Sequence, residues 1–121
     1  PKIFRIVHKV HHDSRIPTPW TAFSFHPWEG LIEALVLPAI LLIIPVNIFV
    51  LGIYLLLMTV SSVINHLDIE IYPASFRNSK FGQQFIDATH HHFHHEEFQT
   101  NYGLYFTFWD RWMGTESKSK I

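Results

Sequence analysis

The stretch LIEALVLPAILLIIPVNIFVLGIYLLLMTVSSVI, residues 31–64, decides the fold. Its one formal charge, Glu33, stands near its start, and no core helix of a soluble protein looks like this. A single membrane span takes about 20 residues, so the run is too long for one straight crossing. Pro38, Pro45 and Asn47 give it places to bend or turn. The pattern predicts a helical hairpin, arms at about 31–44 and 47–64, turning near Pro45–Asn47. At 1.5 Å per residue each arm is about 20–27 Å long, short of the roughly 30 Å hydrocarbon layer, which keeps the tip in the far leaflet.

Outward from this run, charge sets the orientation. Every Lys and Arg lies between Lys2 and Arg15 or between Arg77 and Lys120. The positive-inside rule therefore puts both flanks, 1–30 and 65–121, in the cytosol. Trp20, Trp28, Tyr72, Tyr102, Trp109 and Trp112 are placed to form an aromatic belt at the membrane surface.

The flanks carry the chemistry. HKVHH (residues 8–12) and HHHFHH (90–95) each contain the spacing HxxHH. On a helix, positions i, i+3 and i+4 share a face, so His8, His11 and His12 are expected to converge on one point, and His91, His94 and His95 on another. A hairpin returns both motifs to one side of the membrane, where they can share a metal; a single span would separate them. The His90–His95 run is internal, interrupted by Phe93 and followed by Glu96 and Glu97, unlike an affinity tag.

Cysteine is absent, which excludes disulfides, thiolate zinc sites and iron–sulfur clusters. Any metal sits on nitrogen and oxygen ligands. Imidazole suits zinc, copper, iron and nickel alike. Six to eight histidines are more than the about four ligands of a structural zinc, which points to two metals or to a site with open positions. H-E-x-x-H and G-x-S-x-G are both missing, so metalloprotease and serine hydrolase chemistry have no foothold. A net charge of −1 offers no basic surface for nucleic acid.

Other positions carry two readings each. His26, in FHPWEG, reads as a helix cap rather than a site residue. His66, directly after the second arm, is open between ligand and satisfied interfacial histidine. Asn65, Asp68 and Glu70 fit either outer-sphere acceptors or helix-end and turn roles. The aromatic stretch Tyr102–Trp112 reads as packing and membrane anchoring.

HKVHH (8–12), PTPW (17–20), FHPWE (25–29), NHLDIEIYP (65–73), HHHFHH (90–95) and NYGLYFTFWDRWMGT (101–115), in that order and spacing, resemble the fatty acid hydroxylase superfamily, also called the sterol desaturase family. The resemblance implies a membrane-embedded oxygenase with two non-haem Fe ions that uses O₂ as co-substrate on lipids. It implies His8, His11, His12, His66, His91, His94 and His95 as metal ligands. Glu70 stands where some relatives carry another ligand histidine, and His90 and His92 fall outside the motif frame. The implied partners are a lipid substrate from the bilayer and an external electron donor of cytochrome or ferredoxin type. The C-terminal NYGLYFTFWDRWMGT leans toward the sterol-desaturase-like branch.

The family's earlier H-x-x-x-H motif does not occur. The chain is therefore expected to be the C-terminal part of one domain of a longer protein, lacking at least one membrane helix and two ligands, and inactive alone. The expected fold is all-α and integral to the membrane: a transmembrane hairpin with cytosolic-face helices carrying a His-rich di-metal site, in a bacterial inner membrane or endoplasmic reticulum. The alternative is a membrane protein with a structural or transport-related zinc or other divalent site and no oxygen chemistry. Transport is disfavoured because residues 34–65 contain no ionisable ligand.

Overall fold

A computed structural model describes residues 2–118; Pro1 and residues 119–121, the ends of the expected 1–121 domain, lie outside them. The described residues form helices and turns, with one isolated antiparallel bridge between Phe85 and Phe106 and no strand. In order they are α1 (Lys2–Val7), α2 (Lys9–His12), a 3₁₀ turn (Pro19–Phe23), α3 (Pro27–Leu41), α4 (Ile48–Asn65), α5 (Ala74–Arg77), a second 3₁₀ turn (Gly82–Gln84), α6 (Ala88–Glu97) and α7 (Phe108–Met113).

The apolar run forms two helices whose bounds differ from those expected at 31–44 and 47–64. The His26 side chain accepts the Trp28 N–H at 3.3 Å, and Pro27 takes the first helical position, where its missing N–H costs nothing. α3 therefore begins before the apolar run. It passes through Pro38 and stops at Leu41, ahead of Pro45, whose ring disfavours helical backbone in the residue before it. Asn47 restarts the helix by accepting the Phe49 N–H at 2.9 Å.

α4 is 18 residues long, and Asn65 at its end is its one buried residue. Among the described residues it is the one helix long and apolar enough to cross a membrane by length and composition. Its Thr59 hydroxyl donates to the Leu55 carbonyl at 2.9 Å, so the polar group is satisfied within the helix.

Burial runs opposite to that of a soluble domain. Among the described residues the buried hydrophobic side chains are Ile86 and Ala88, whereas His11, His12, His66, His91, His94 and His95 are all buried. Aliphatic surface on this scale, exposed on α3 and α4, needs a partner or a bilayer. α4 packs on α6 and on the first 3₁₀ turn, and α1 packs on α2 and α3; His66, at the C-terminal end of α4, lies against His11 of the first motif and His91 of the second.

Candidate metal centre

Each helix end delivers histidines to one place. Asp87 caps α6 by accepting the His90 N–H at 2.8 Å, and a carboxylate there also complements the helix dipole. The helix closes at Phe98, in left-handed backbone at φ 59°, with its N–H on the His94 carbonyl. His66 is the C-terminal cap of α4. His8 sits at the junction of α1 and α2 (φ −109°, ψ −10°), so the first motif does not lie within one unbroken helix.

The seven histidines gather into two groups. His11, His66, His91 and His95 bring one ring nitrogen each within 4.8 Å of one another, and so do His8, His12 and His94. Neither group is a single HxxHH motif, as the spacing had predicted. The first and fifth residues of one motif meet the fourth residue of the other: His8 and His12 with His94, His91 and His95 with His11. The reason is helical pitch. In α6, at about 3.6 residues per turn, His95 lies about 40° to one side of His91 and His94 about 60° to the other, so this motif spreads across two centres facing the first. His66 is the additional member of the larger group.

Hydrogen bonds fix how these rings point. The Nδ1 atoms of His11, His66, His94 and His95 bond to the carbonyls of Ser24 (3.1 Å), Ser62 (2.7 Å), Thr100 (2.8 Å) and Ser14 (3.1 Å). A carbonyl only accepts, so each Nδ1 carries the proton and, in a neutral ring, each Nε2 carries a lone pair.

The rings are held neutral. Burial, then the neighbouring His66, lower His11 from its ordinary value to about 4. Burial followed by His94 lowers His12 to about 3. Burial followed by His11 lowers His95 to about 2. His66, His91 and His94 are lowered as well, burial again being the largest cause.

Between His11 and His66, both anchored through Nδ1, lone pair therefore faces lone pair. Nε2 of His66 lies 3.2 Å from Nε2 of His11 and 3.0 Å from Nε2 of His91, and the fully buried Nε2 of His95 has no protein partner. Leaving such acceptors unpaired in the interior costs about 1–3 kcal/mol each. A cation bound among them satisfies all at once, and neutral imidazoles on carbonyl anchors are the usual ligands for one. The donor set fits zinc, iron, copper or nickel equally.

Several residues fall outside the two groups. Glu70 accepts the Tyr72 N–H at 2.9 Å and the Thr89 hydroxyl at 3.2 Å, and lies 3.7 Å from Arg77, which ties the segment after α4 to the start of α6. His92 pairs with Asp68, and His90 lies 3.5 Å from the buried Asp110. Asn65 donates to the Leu104 carbonyl at 3.3 Å.

Two carboxylates escaped the reading of the sequence. Glu29, in the first turn of α3, contacts Nδ1 of His8. Asp110, in α7, accepts the N–H groups of Tyr102 and Gly103 and the Thr115 hydroxyl at 2.7, 2.9 and 2.7 Å. Burial pushes the Asp110 carboxyl up, but the donors Thr115, Gly103, Tyr102 and His90 outweigh it and hold it below its ordinary value. Both lay inside strings that mark the family resemblance, FHPWE and NYGLYFTFWDRWMGT. What hid them was the absence of any local pattern linking them to a histidine 21 or 20 residues away.

The Fatty acid hydroxylase family matches residues 1–115. The chain is similar to lathosterol oxidase of Homo sapiens, 36% identical over 111 residues, which covers 90% of this chain and 35% of that protein. It is similar to a Delta(7)-sterol 5(6)-desaturase of Aspergillus fumigatus, 31% identical over 130 residues, covering 95% and 41%. Methylsterol monooxygenase 1 of Rattus norvegicus is 32% identical over 117 residues, covering 95% and 38%. The chain thus spans 35% to 41% of the length of these curated relatives. No solved structure matches it significantly.

Proposed function

The chain belongs to the fatty acid hydroxylase family, and on that premise we propose that it is the histidine-bearing part of an iron-dependent, O₂-using membrane oxidoreductase that hydroxylates or desaturates a lipid. The observation that carries this reading is the pair of buried histidine groups at the base of an apolar helix. The relatives named as a lathosterol oxidase, a sterol desaturase and a methylsterol monooxygenase favour a sterol over a fatty acyl chain.

In this account His11, His66, His91 and His95 hold one iron, and His8, His12 and His94 belong to the second. Iron held there would supply the oxidising power for attack on an unactivated C–H bond, drawing on O₂ and on electrons from a cytochrome or ferredoxin type donor, chemistry that no side chain offers. The protein's own part is preparatory. The carbonyls of Ser14, Ser24, Ser62 and Thr100 keep the protons on Nδ1 and the Nε2 atoms aimed inward.

α3 and α4 form the two arms of a membrane hairpin, with both histidine motifs at the cytosolic face. Substrate reaches them from the bilayer along α4. An apolar groove of about 510 Å³ there is lined by Tyr54, Leu57, Met58, Tyr72, Phe85 and Phe106 among others, and its lining includes Asn65, the residue before His66. A groove of this size and lining suits a lipid.

The test is O₂-dependent turnover of a Δ7-sterol by the full-length protein and by His94→Ala. Loss of product together with loss of bound iron in the variant supports the reading; unchanged product and iron would overturn it. A structural zinc protein would show neither iron nor oxygen consumption.

A further inference from the structure

The two histidine groups differ in what stands behind them. In the group of His11, His66, His91 and His95, three of the four rings lean through Nδ1 on neutral backbone carbonyls. In the other, His8 leans on a carboxylate, that of Glu29. Glu29 is 6% exposed, and its second oxygen, Oε2, is buried with no hydrogen-bond partner. Among the described residues no Lys or Arg pairs with it, the sole ion-pair partner being the His8 ring. A carboxylate in that setting is costly unless positive charge stands close by.

The position of Glu29 is built rather than incidental. His26 caps α3 and Pro27 starts it, so Glu29 falls in the first turn, where the helix dipole favours an anion. α1 packs on α3, and this brings the His8 ring to that turn. The Glu29 oxygens do not join the set of mutually close ligand atoms formed by His8, His12 and His94. The residue therefore acts behind the ring, not in its place.

We propose that Glu29 is a positioning residue for this group alone: its carboxylate takes the Nδ1–H of His8, aims Nε2 of that ring at the metal, and supplies the negative charge that offsets a dication there. A bound dication would offset the buried carboxylate of Glu29. The two metal positions are then unequal, one held by neutral groups only and the other backed by an anion. This inference rests on the reading that both groups bind metal, and the experiment separates failure of the one from failure of the other.

The experiment is a cobalt(II) titration of the metal-stripped full-length protein, followed by visible absorption, on wild type, Glu29→Gln, His8→Ala and the double variant. Glu29→Gln keeps the shape and an accepting oxygen but removes the charge. The wild type should bind in two resolvable steps. In Glu29→Gln one step should weaken by about 10- to 100-fold, the usual cost of losing an outer-sphere carboxylate, while the other stays put. His8→Ala should weaken the same step, and adding Glu29→Gln to it should do nothing more.

Equal weakening of both steps in Glu29→Gln would mean a general structural role and overturn the proposal. So would no change in either step, or a further loss in the double variant. A wild type that binds no cobalt would overturn the two-group reading itself, and the proposal with it.

Discussion

The Oδ2 atom of Asp110 accepts the backbone N–H of Gly103 at 2.9 Å, and a Cβ added to Gly103 would sit 2.7 Å from that same oxygen and 2.7 Å from the Phe106 carbonyl. This tight contact folds the segment after α6, from which the Thr100 carbonyl reaches Nδ1 of His94 at 2.8 Å. Gly103→Ala should therefore cost about 1–3 kcal/mol through overpacking. Asp110→Ala leaves the donors of Tyr102, Gly103 and Thr115 unpaired, at about 1–3 kcal/mol for each that stays buried. Thermal unfolding in detergent should show both variants melting well below wild type, Asp110→Ala the lower.

Crosswise pairing of the motifs predicts which substitutions act together. His11→Ala and His91→Ala should lose the same metal, though they stand in different motifs. His8→Ala and His94→Ala should lose the other. Metal content per chain, measured for each variant and for the pairs His11/His91 and His11/His94, checks this. Motif-by-motif loss, with His8 and His11 grouped together, would contradict it.

The buried histidines make the metal-free protein sensitive to acid. Unfolded, each titrates near its ordinary 6.5, while in the fold His11 is lowered to about 4, His12 to about 3 and His95 to about 2. Below 6.5 the unfolded chain binds more protons than the folded one, so their contribution to stability is complete above that pH. It falls away progressively as pH drops through the folded values. Denaturant midpoints of the metal-free protein should decline steadily from about pH 7 to about pH 4, and bound metal should be released over the same range, because ligation needs the neutral ring.

The membrane reading makes its own prediction. Leu56 lies midway along α4 with 63% of its surface exposed. Leu56→Lys puts a charge at the centre of the span, at about 2.5–3.5 kcal/mol on the insertion scale. Alkaline carbonate extraction should move the variant toward the soluble fraction while wild type stays with the membrane. Equal extraction of the two would place α4 at a protein interface instead.

What the sequence disclosed depended on the range of the interaction. Local signals marked the caps, His26 with Pro27 and Asn47, although α3 starts at Pro27 rather than at the expected 31; the i, i+3, i+4 spacing singled out six histidines, and His66 came only from the family resemblance. The split into two crossed groups was not foreseen, since it depends on how α2 faces α6. Glu29 and Asp110 stayed hidden for a related reason. Each has a partner about twenty residues away, and a carboxylate that will be buried looks in sequence like one that will be solvated. Glu70 shows the reverse: a position that had been weighed near the site turns out to hold Arg77 and Thr89.

The most direct measurement is metal analysis of the purified full-length protein, with His11→Ala and His94→Ala alongside. The account predicts two iron ions per chain in wild type and about one in each variant. Zinc in place of iron, or a metal content untouched by both substitutions, would contradict it.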